Sequence, residues 1–167
     1  MNGLHAIHTK LSQVQAAFDA SGAVIYLGFS DHEFRTALLA KLARLEPVTD
    51  SPARAVAHLQ EQLDAYAAGG RRAFEVSFRL HGSPFEQRVW AALQRIPFGE
   101  IRSYGQLAAE LGDPNLSRAV GRANGANPIS ILIPCHRVIG ANGALTGYAG
   151  GLPMKERLLR LEGALRL

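Results

Sequence analysis

Residues 83–139, SPFEQRVWAALQRIPFGEIRSYGQLAAELGDPNLSRAVGRANGANPISILIPCHRVI, decide the fold. Ser83-Pro84-Phe85-Glu86 is a capping box: the serine side chain caps, proline takes the first helical position and glutamate returns to the cap backbone. The helix it opens places Phe85, Val89, Trp90 and Leu93 on one face and stops at Pro97-Phe98-Gly99. Ser103-Tyr104-Gly105-Gln106 is a second box-like start, leading through Leu107, Ala108 and Leu111 to Gly112. The turn Gly112-Asp113-Pro114-Asn115 precedes a third helix with Leu116, Ala119, Val120 and Ala123 as its apolar stripe. Helix, short glycine-bearing turn, helix is the helix-turn-helix pattern.

The other face of the third helix carries Ser117, Arg118, Gly121, Arg122 and Gly125. Small residues let a helix backbone come close to a neighbour. Two neighbours fit: the sugar-phosphate walls of a nucleic-acid groove, contacted with little base readout, or another helix packed through the glycines. Charge bears on the choice. The chain is formally +4, and the excess lies wholly in the second half: residues 1–82 hold eight Lys+Arg and eight Asp+Glu, residues 83–167 ten and six. From Pro114 through Lys155 there is no carboxylate, while Arg118, Arg122, Arg137 and Lys155 fall inside that stretch. Such a distribution is the footprint of a polyanion partner, the plainer reading being a solvated arginine-rich face.

Asn127-Pro128 ends the third helix, and the apolar run Ile129, Ile131, Leu132, Ile133 delivers Pro134-Cys135-His136-Arg137-Val138. Cys135 is the sole cysteine, which rules out an intramolecular disulfide and a four-cysteine zinc site. A free cysteine at the end of an apolar run is at least half buried, as inert packing or as chemistry. The adjacent histidine, the arginine beyond it and the lack of a nearby carboxylate in sequence are surroundings that favour thiolate over thiol. Ala141-Asn142-Gly143-Ala144 then carries the Asn-Gly mark of a tight hairpin and makes Val138–Tyr148 a small wing. A last helix opens near Pro153, sets Leu158, Leu159 and Leu161 against the core, and ends at Glu162-Gly163.

The first half reads as a small mixed unit. Residues 4–10, 12–18 and 23–29 have strand character. Asp31 caps a helix bearing Phe34, Leu38, Leu39 and Leu42, and Ser51-Pro52 opens another with Val56, Leu59, Leu63 and Tyr66, stopped by Gly69-Gly70. Phe74–Leu80 alternates as a strand with one buried face. His5, His8, His32 and His58 lack metal-binding spacing. With 167 residues, 47% of them hydrophobic, and no apolar run of the ~18–20 residues a membrane span needs, the expectation is a globular cytoplasmic protein without a membrane role.

Beyond these local readings, ILIPCHRVIG (131–140 within its flanks), the upstream RAVGRANGANP and the downstream LTGYAGGLPMKERLLRLEG resemble the O6-alkylguanine-DNA alkyltransferases, also called methylated-DNA-protein-cysteine methyltransferases. The likeness is close from Phe85 to Gly163 and looser before it. It implies a two-part α/β (α+β) fold, with a small sheet-and-helix domain over residues 1–82 and a winged helix-turn-helix domain for DNA binding and alkyl transfer over 83–167.

The resemblance also implies the chemistry. Cys135 matches the cysteine that takes an alkyl group from guanine O6, and with it O4 of thymine, once and irreversibly. His136 matches its water-mediated base and Glu162 the carboxylate that orients the imidazole. Tyr104 matches the tyrosine that donates toward N3 of the departing guanine, and Asn127 the residue tying the recognition helix to the active-site turn. Val138, Tyr148, Ala149 and Gly150 match the pocket lining. Arg118 matches an arginine finger that enters the base stack when the guanine is flipped out, with Ser117, Ala119, Gly121 and Arg122 on the helix face in the minor groove. No cofactor and no metal are implied. The partner is double-stranded DNA containing alkylated guanine, bound by a monomer, with cooperative assembly on DNA left open. Ser130 and Ala149 stand where some relatives carry Pro and Ser, which bears on bulky substituents. The competing readings are a DNA-binding module without chemistry, either a winged-helix regulator or an alkyltransferase-like lesion sensor, the latter opposed by Cys135, and a cysteine hydrolase, which adjacent Cys and His residues serve poorly.

Overall fold

The computed structural model describes residues 4–29, 35–45 and 53–165. The chain divides into two compact units, residues 1–81 and 82–167.

In the first unit, β1 (Leu4–His8), β2 (Gln13–Phe18) and β3 (Val24–Phe29) form an antiparallel meander in the order β1-β2-β3. Thr9 closes the first turn by accepting the Leu11 and Ser12 N–H groups at its hydroxyl, and Asp19 closes the second, its Oδ1 accepting from Ser21 N–H, Ser21 Oγ and Ala23 N–H. Both turns use short polar side chains to satisfy backbone donors that the ladder leaves free. β3 is buried along its whole length, as its unbroken apolar run requires. Helices α1 (Arg35–Leu45) and α2 (Ala53–Ala67) follow; Leu38, Leu39 and Leu42 pack on Ile25 and Tyr26. The expected caps at Asp31 and Ser51-Pro52, together with Phe34, lie outside the described residues.

Phe74–Leu80 is not a strand. It meets β3 at one parallel bridge, Val24 with Phe78, where Val24 N–H donates to Ser77 O and Arg79 N–H to Val24 O. The alternation is real, since Phe74, Val76, Phe78 and Leu80 are the less exposed partners, yet one-sided partial burial needs no continued ladder.

The second unit packs α3 (Pro84–Gln94), α4 (Tyr104–Glu110) and α5 (Ser117–Gly125) together, with α6 (Leu152–Leu161) at the end of the chain. Both capping boxes form: Ser83 with Glu86, and Ser103 with Gln106. Asp113 caps a single 3-10 turn, Pro114–Leu116, that sets the angle between α4 and α5. The Trp90 indole donates to the Ala123 carbonyl at 2.9 Å, bolting α3 to α5 through a buried contact. Gly82 leaves room for that indole, because a Cβ there would lie 2.4 Å from it.

The expected wing differs. The turn after Ile139 forms, Gly140 N–H donating to Ala144 O, but the returning leg is not a strand. Instead β5 (Val138–Ile139) pairs in parallel with β4 (Arg102–Ser103), the two residues just before α4. The turn chemistry was sound; its strand found a partner from elsewhere in the chain.

Candidate active site

Cys135 opens a 3-10 turn, Cys135–Arg137, at the end of a tightly folded segment. This segment is no strand: Leu132 N–H donates to Ser130 O and Ile133 N–H to Ile129 O, which places Ile131 at φ 72°. A β-branched residue in the left-handed region is strained, so the surroundings must hold it there. Asn127 does much of this. Its Oδ1 accepts from Ile129 N–H at 3.0 Å and its Nδ2 donates to Ile133 O at 2.8 Å, clamping both ends of the turn. One turn earlier, Asn124 Nδ2 donates to Cys135 O at 3.4 Å. Val120, Ala123, Asn124 and Asn127 recur at helical spacing, so the buried stripe of α5 changes from apolar to amide where it reaches the cysteine.

Cys135 is 5% exposed, and burial pushes its thiol up from its ordinary value, against the weaker opposing pull of Asn127 and the Lys155 charge. This corrects the expectation that the surroundings by themselves favour thiolate. Arg137 is not available to the sulfur: its Nε and Nη2 donate to Glu162 Oε2 and Oε1, each at 2.8 Å, and its Nη1 donates to Ile96 O at 2.7 Å. A buried thiol of this kind needs a base at the moment it reacts.

His136 is fully buried, and its Nε2 lies 2.8 Å from Glu162 Oε1. Burial would raise the Glu162 carboxyl, but hydrogen bonds from His136 and Arg137 and the Arg137 charge outweigh that and hold it down to about 2. Glu162 is therefore a carboxylate and can only accept. Burial likewise pushes His136 below its ordinary value, more than Glu162 raises it, so the ring is neutral. It follows that the one ring proton sits on Nε2 and the lone pair on Nδ1. Nδ1 is buried and has no hydrogen-bond partner among the described residues, the state of a base awaiting a proton donor. The Tyr148 ring stands edge-on to the imidazole at 6.5 Å. Glu162 thus both orients the histidine and neutralises Arg137.

Sequence reasoning missed Lys155, fully buried, and Asn124, and it did not pair Arg137 with Glu162. The mark was present. Lys155, Leu158, Leu159 and Glu162 recur at helical spacing, so two charges occupy core positions of α6, while Leu161, expected in that stripe, is only half-buried.

The remaining expected residues do not join this cluster as side chains. Val138 is buried in β5, and Ala149 and Gly150 form a partly exposed turn closed by Gly151 N–H donating to Tyr148 O. Tyr104, the first residue of α4, is half-buried and its hydroxyl donates to Thr146 O at 3.4 Å. Gly121 faces the Tyr104 ring, which a Cβ would meet at 3.9 Å, whereas nothing lies within 4 Å of a Cβ at Gly125. One glycine of α5 serves packing and the other lines open space. Arg118 and Arg122 are exposed on α5, Ala119 is half-buried beside them, and Ser117 Oγ donates to Pro114 O at the helix start.

Among the described residues no helix is long and apolar enough to cross a membrane. Nor do three His, Cys, Asp or Glu residues gather there as a metal site would require.

Residues 84–164 match the model of the 6-O-methylguanine DNA methyltransferase, DNA binding domain. A methylated-DNA–protein-cysteine methyltransferase of Mycolicibacterium paratuberculosis is 58% identical over 114 residues, 68% of this chain and 68% of that protein. The crystal structure of Mycobacterium tuberculosis O6-methylguanine methyltransferase superposes with a TM-score of 0.82 at 40% identity, over 98% of this chain and 93% of that one. A structure of the Mycobacterium tuberculosis OGT in complex with DNA matches at 42% identity and a TM-score of 0.82, over 96% and 92% of the two chains. The mixed α/β architecture and the buried cysteine and histidine thus stand in a chain that belongs to the methylated-DNA–protein-cysteine methyltransferases, enzymes of direct-reversal DNA repair.

Proposed function

We propose that this chain takes a methyl or small alkyl group from O6 of guanine in double-stranded DNA, and from O4 of thymine, onto the Sγ of Cys135. The observation that carries this reading is the pairing of a lone buried cysteine with a neutral His136 whose Nε2 is fixed by Glu162 and whose Nδ1 is open. The His136 Nδ1 takes the thiol proton through a water. The sulfur attacks the alkyl carbon in line, the S–C bond forms as the C–O6 bond breaks, and the electron pair leaves on the guanine. Tyr104, whose hydroxyl already hydrogen-bonds a carbonyl at the edge of the site, donates toward N3 of that leaving base. A thioether has no proton to lose and no simple leaving path, so each molecule reacts once.

A base inside a duplex cannot reach a sulfur that is 5% exposed, so the nucleotide is flipped out, at a cost of a few kcal/mol. Arg118 is long, exposed and on the face of α5, which suits it to occupy the gap; Ser117, Ala119, Gly121 and Arg122 lie along the same helix for the minor groove. Val138, Tyr148, Ala149 and Gly150 line the place of the flipped base, with Asn127 holding the turn beneath it. The domain from residue 83 onward carries all of these groups. The protein works as a cytoplasmic monomer and needs no cofactor.

Incubation with duplex DNA carrying a labelled methyl on guanine O6 tests this directly. The intact mass should rise by one methyl group per molecule, and Cys135→Ser should stay unmodified. Label on any other residue, or repeated turnover by one molecule, would sink the reading.

A further inference from the structure

Trp90 is the largest fully buried side chain of the described residues, and the mechanism above makes no use of it. Its indole N–H reaches the Ala123 carbonyl at 2.9 Å in a buried contact. An α-helix would satisfy that carbonyl with the N–H four residues on, which belongs to Asn127. Asn127 N–H donates instead to Asn124 O at 3.3 Å, because α5 tightens as it ends, and Ala126 N–H is shared between Arg122 O at 3.0 Å and Ala123 O at 3.2 Å. The indole therefore supplies the donor that the departing chain withdraws from a buried carbonyl. Gly82 makes room for the ring on its far side, where a Cβ would lie 2.4 Å from Cη2 and 2.5 Å from Cζ3. Released from the helix, Asn127 clamps Ile129 N–H and Ile133 O, while Asn124 reaches Cys135 O at 3.4 Å. Between the two ends of that clamp Ile131 stands at φ 72°, a conformation that persists only while its surroundings hold it. The clamp is only as firm as the last turn of α5.

We propose that Trp90 is a positioning residue for alkyl transfer: by holding Ala123 O it fixes the point at which α5 ends, and so keeps Asn124 and Asn127 set against the turn that carries Cys135. The inference rests on the reading of Cys135 as alkyl acceptor. Trp90 acts through Ala123 and the two amides, not on the sulfur. Without the indole N–H, Ala123 O keeps one shared partner, Ala126 N–H, and gains a second only if Asn127 N–H turns back to it. A buried carbonyl short of its donor makes that return favourable, and the return draws the Asn127 side chain away from Ile129 and Ile133. The segment that Asn127 holds under strain then relaxes, and Cys135 leaves the place from which it attacks.

Trp90 is the only tryptophan, so biosynthetic incorporation of its isostere β-(benzothiophen-3-yl)alanine exchanges one N–H for sulfur and alters nothing else in the chain. In that protein the Ile129 and Ile133 amides should exchange with solvent about fivefold faster, the worth of one neutral hydrogen bond, while the Val89 and Leu93 amides of α3 keep their wild-type rates. Methyl transfer from methylated duplex DNA, at saturating DNA, should slow by about the same factor with affinity for the DNA unchanged. Transfer at the wild-type rate overturns the proposal. Exchange that quickens uniformly through α3 and α5 also overturns it, because the indole would then be a core-packing group. Should the sulfur protein fail to fold, Gly82→Ala decides, since a Cβ there displaces the ring from its far side: the same selective exchange and slowed transfer uphold the proposal, and wild-type behaviour overturns it. Selective exchange in the sulfur protein, when the native protein takes no methyl from DNA, would uphold the tie between Trp90 and the Cys135 turn and reject the DNA reading instead.

Discussion

The two units bury polar groups for different ends. In residues 1–81 the buried polar side chains among the described residues are Asp19 and Gln62, and each serves its own neighbourhood: Asp19 closes a β-turn and meets Arg79 at 3.4 Å, and Gln62 accepts from Glu75 N–H. In residues 82–167 they are Asn124, Asn127, Ser130, His136, Arg137, Lys155 and Glu162, and all but Ser130 bear by hydrogen bond or charge on Cys135 or the turn that carries it. A core of packed apolar residues would serve stability alone at least as well, because buried ion pairs seldom repay their desolvation. Polar burial around one thiol therefore marks where stability yields to reactivity, and its absence in the first unit marks a scaffold.

The difference can be broken first at the base. His136→Ala should slow the reaction of Cys135 by ~10²–10⁴-fold while leaving affinity for DNA and the fold in place, the range that a general base contributes. Single-turnover transfer measured beside a DNA titration checks this, and equal losses in rate and affinity would make His136 structural.

Glu162 belongs to both roles. Its carboxyl is held at about 2 against an ordinary 4.5, so it contributes ~3 kcal/mol of stability that is complete above pH 4.5 and lost as pH falls toward 2. His136 acts in the same direction: with its folded value below 6.5, stability falls as pH drops beneath that point and the ring must charge. Glu162→Gln should lower the stability of the second unit at neutral pH and change it little toward pH 3, flattening this pH dependence in thermal melts from pH 3 to 7, and should raise the apparent pKa for alkylation. Loss of folded protein with an unchanged alkylation profile would assign Glu162 to Arg137 alone.

Arg118 sharpens the comparison from outside the cluster. Arg118→Ala should slow repair in duplex DNA by about tenfold, ~1.4 kcal/mol of a flipping cost of a few, and leave the reaction with a free alkylguanine base unchanged. Equal losses on the two substrates would deny it the finger role. Affinity should also fall with rising salt and vary little with sequence.

The smallest effect is expected in the scaffold. Asp19→Ala strips acceptors from Ala23 N–H and the two donors of Ser21, and should cost ~1–3 kcal/mol of stability without moving the pH profile of Cys135. A shifted profile would show that the first unit takes part in the chemistry.

Much of this architecture was legible because its determinants are local. Ser83 with Glu86, Ser103 with Gln106, and Asp113 with Asn115 are hydrogen bonds within three residues, and the helices begin where those pairs stand. Cys135, His136 and Asn127 stand within one short string, and the family resemblance rests on that string. Two local readings failed where a strand needed a distant partner: Phe74–Leu80 pairs with β3 only once, and β5 joins β4 rather than its own returning leg.

What the amino-acid order determined by itself was therefore the helix starts, the apolar stripes, the acid-free stretch and the place of the sole thiol. Only the tertiary structure decided the ionisation of that thiol and the partners of the charges around it. Glu162 reaches His136 across 26 positions and Arg137 across 25, Arg137 reaches Ile96 across 41, and the Lys155 ammonium meets a carbonyl shared with a tyrosine 42 residues from it. A charge acts through distance and dielectric, both of which are set by packing. The same arginine that in sequence promises to acidify the cysteine is, once folded, neutralised by a glutamate, and burial sets the thiol in the opposite direction.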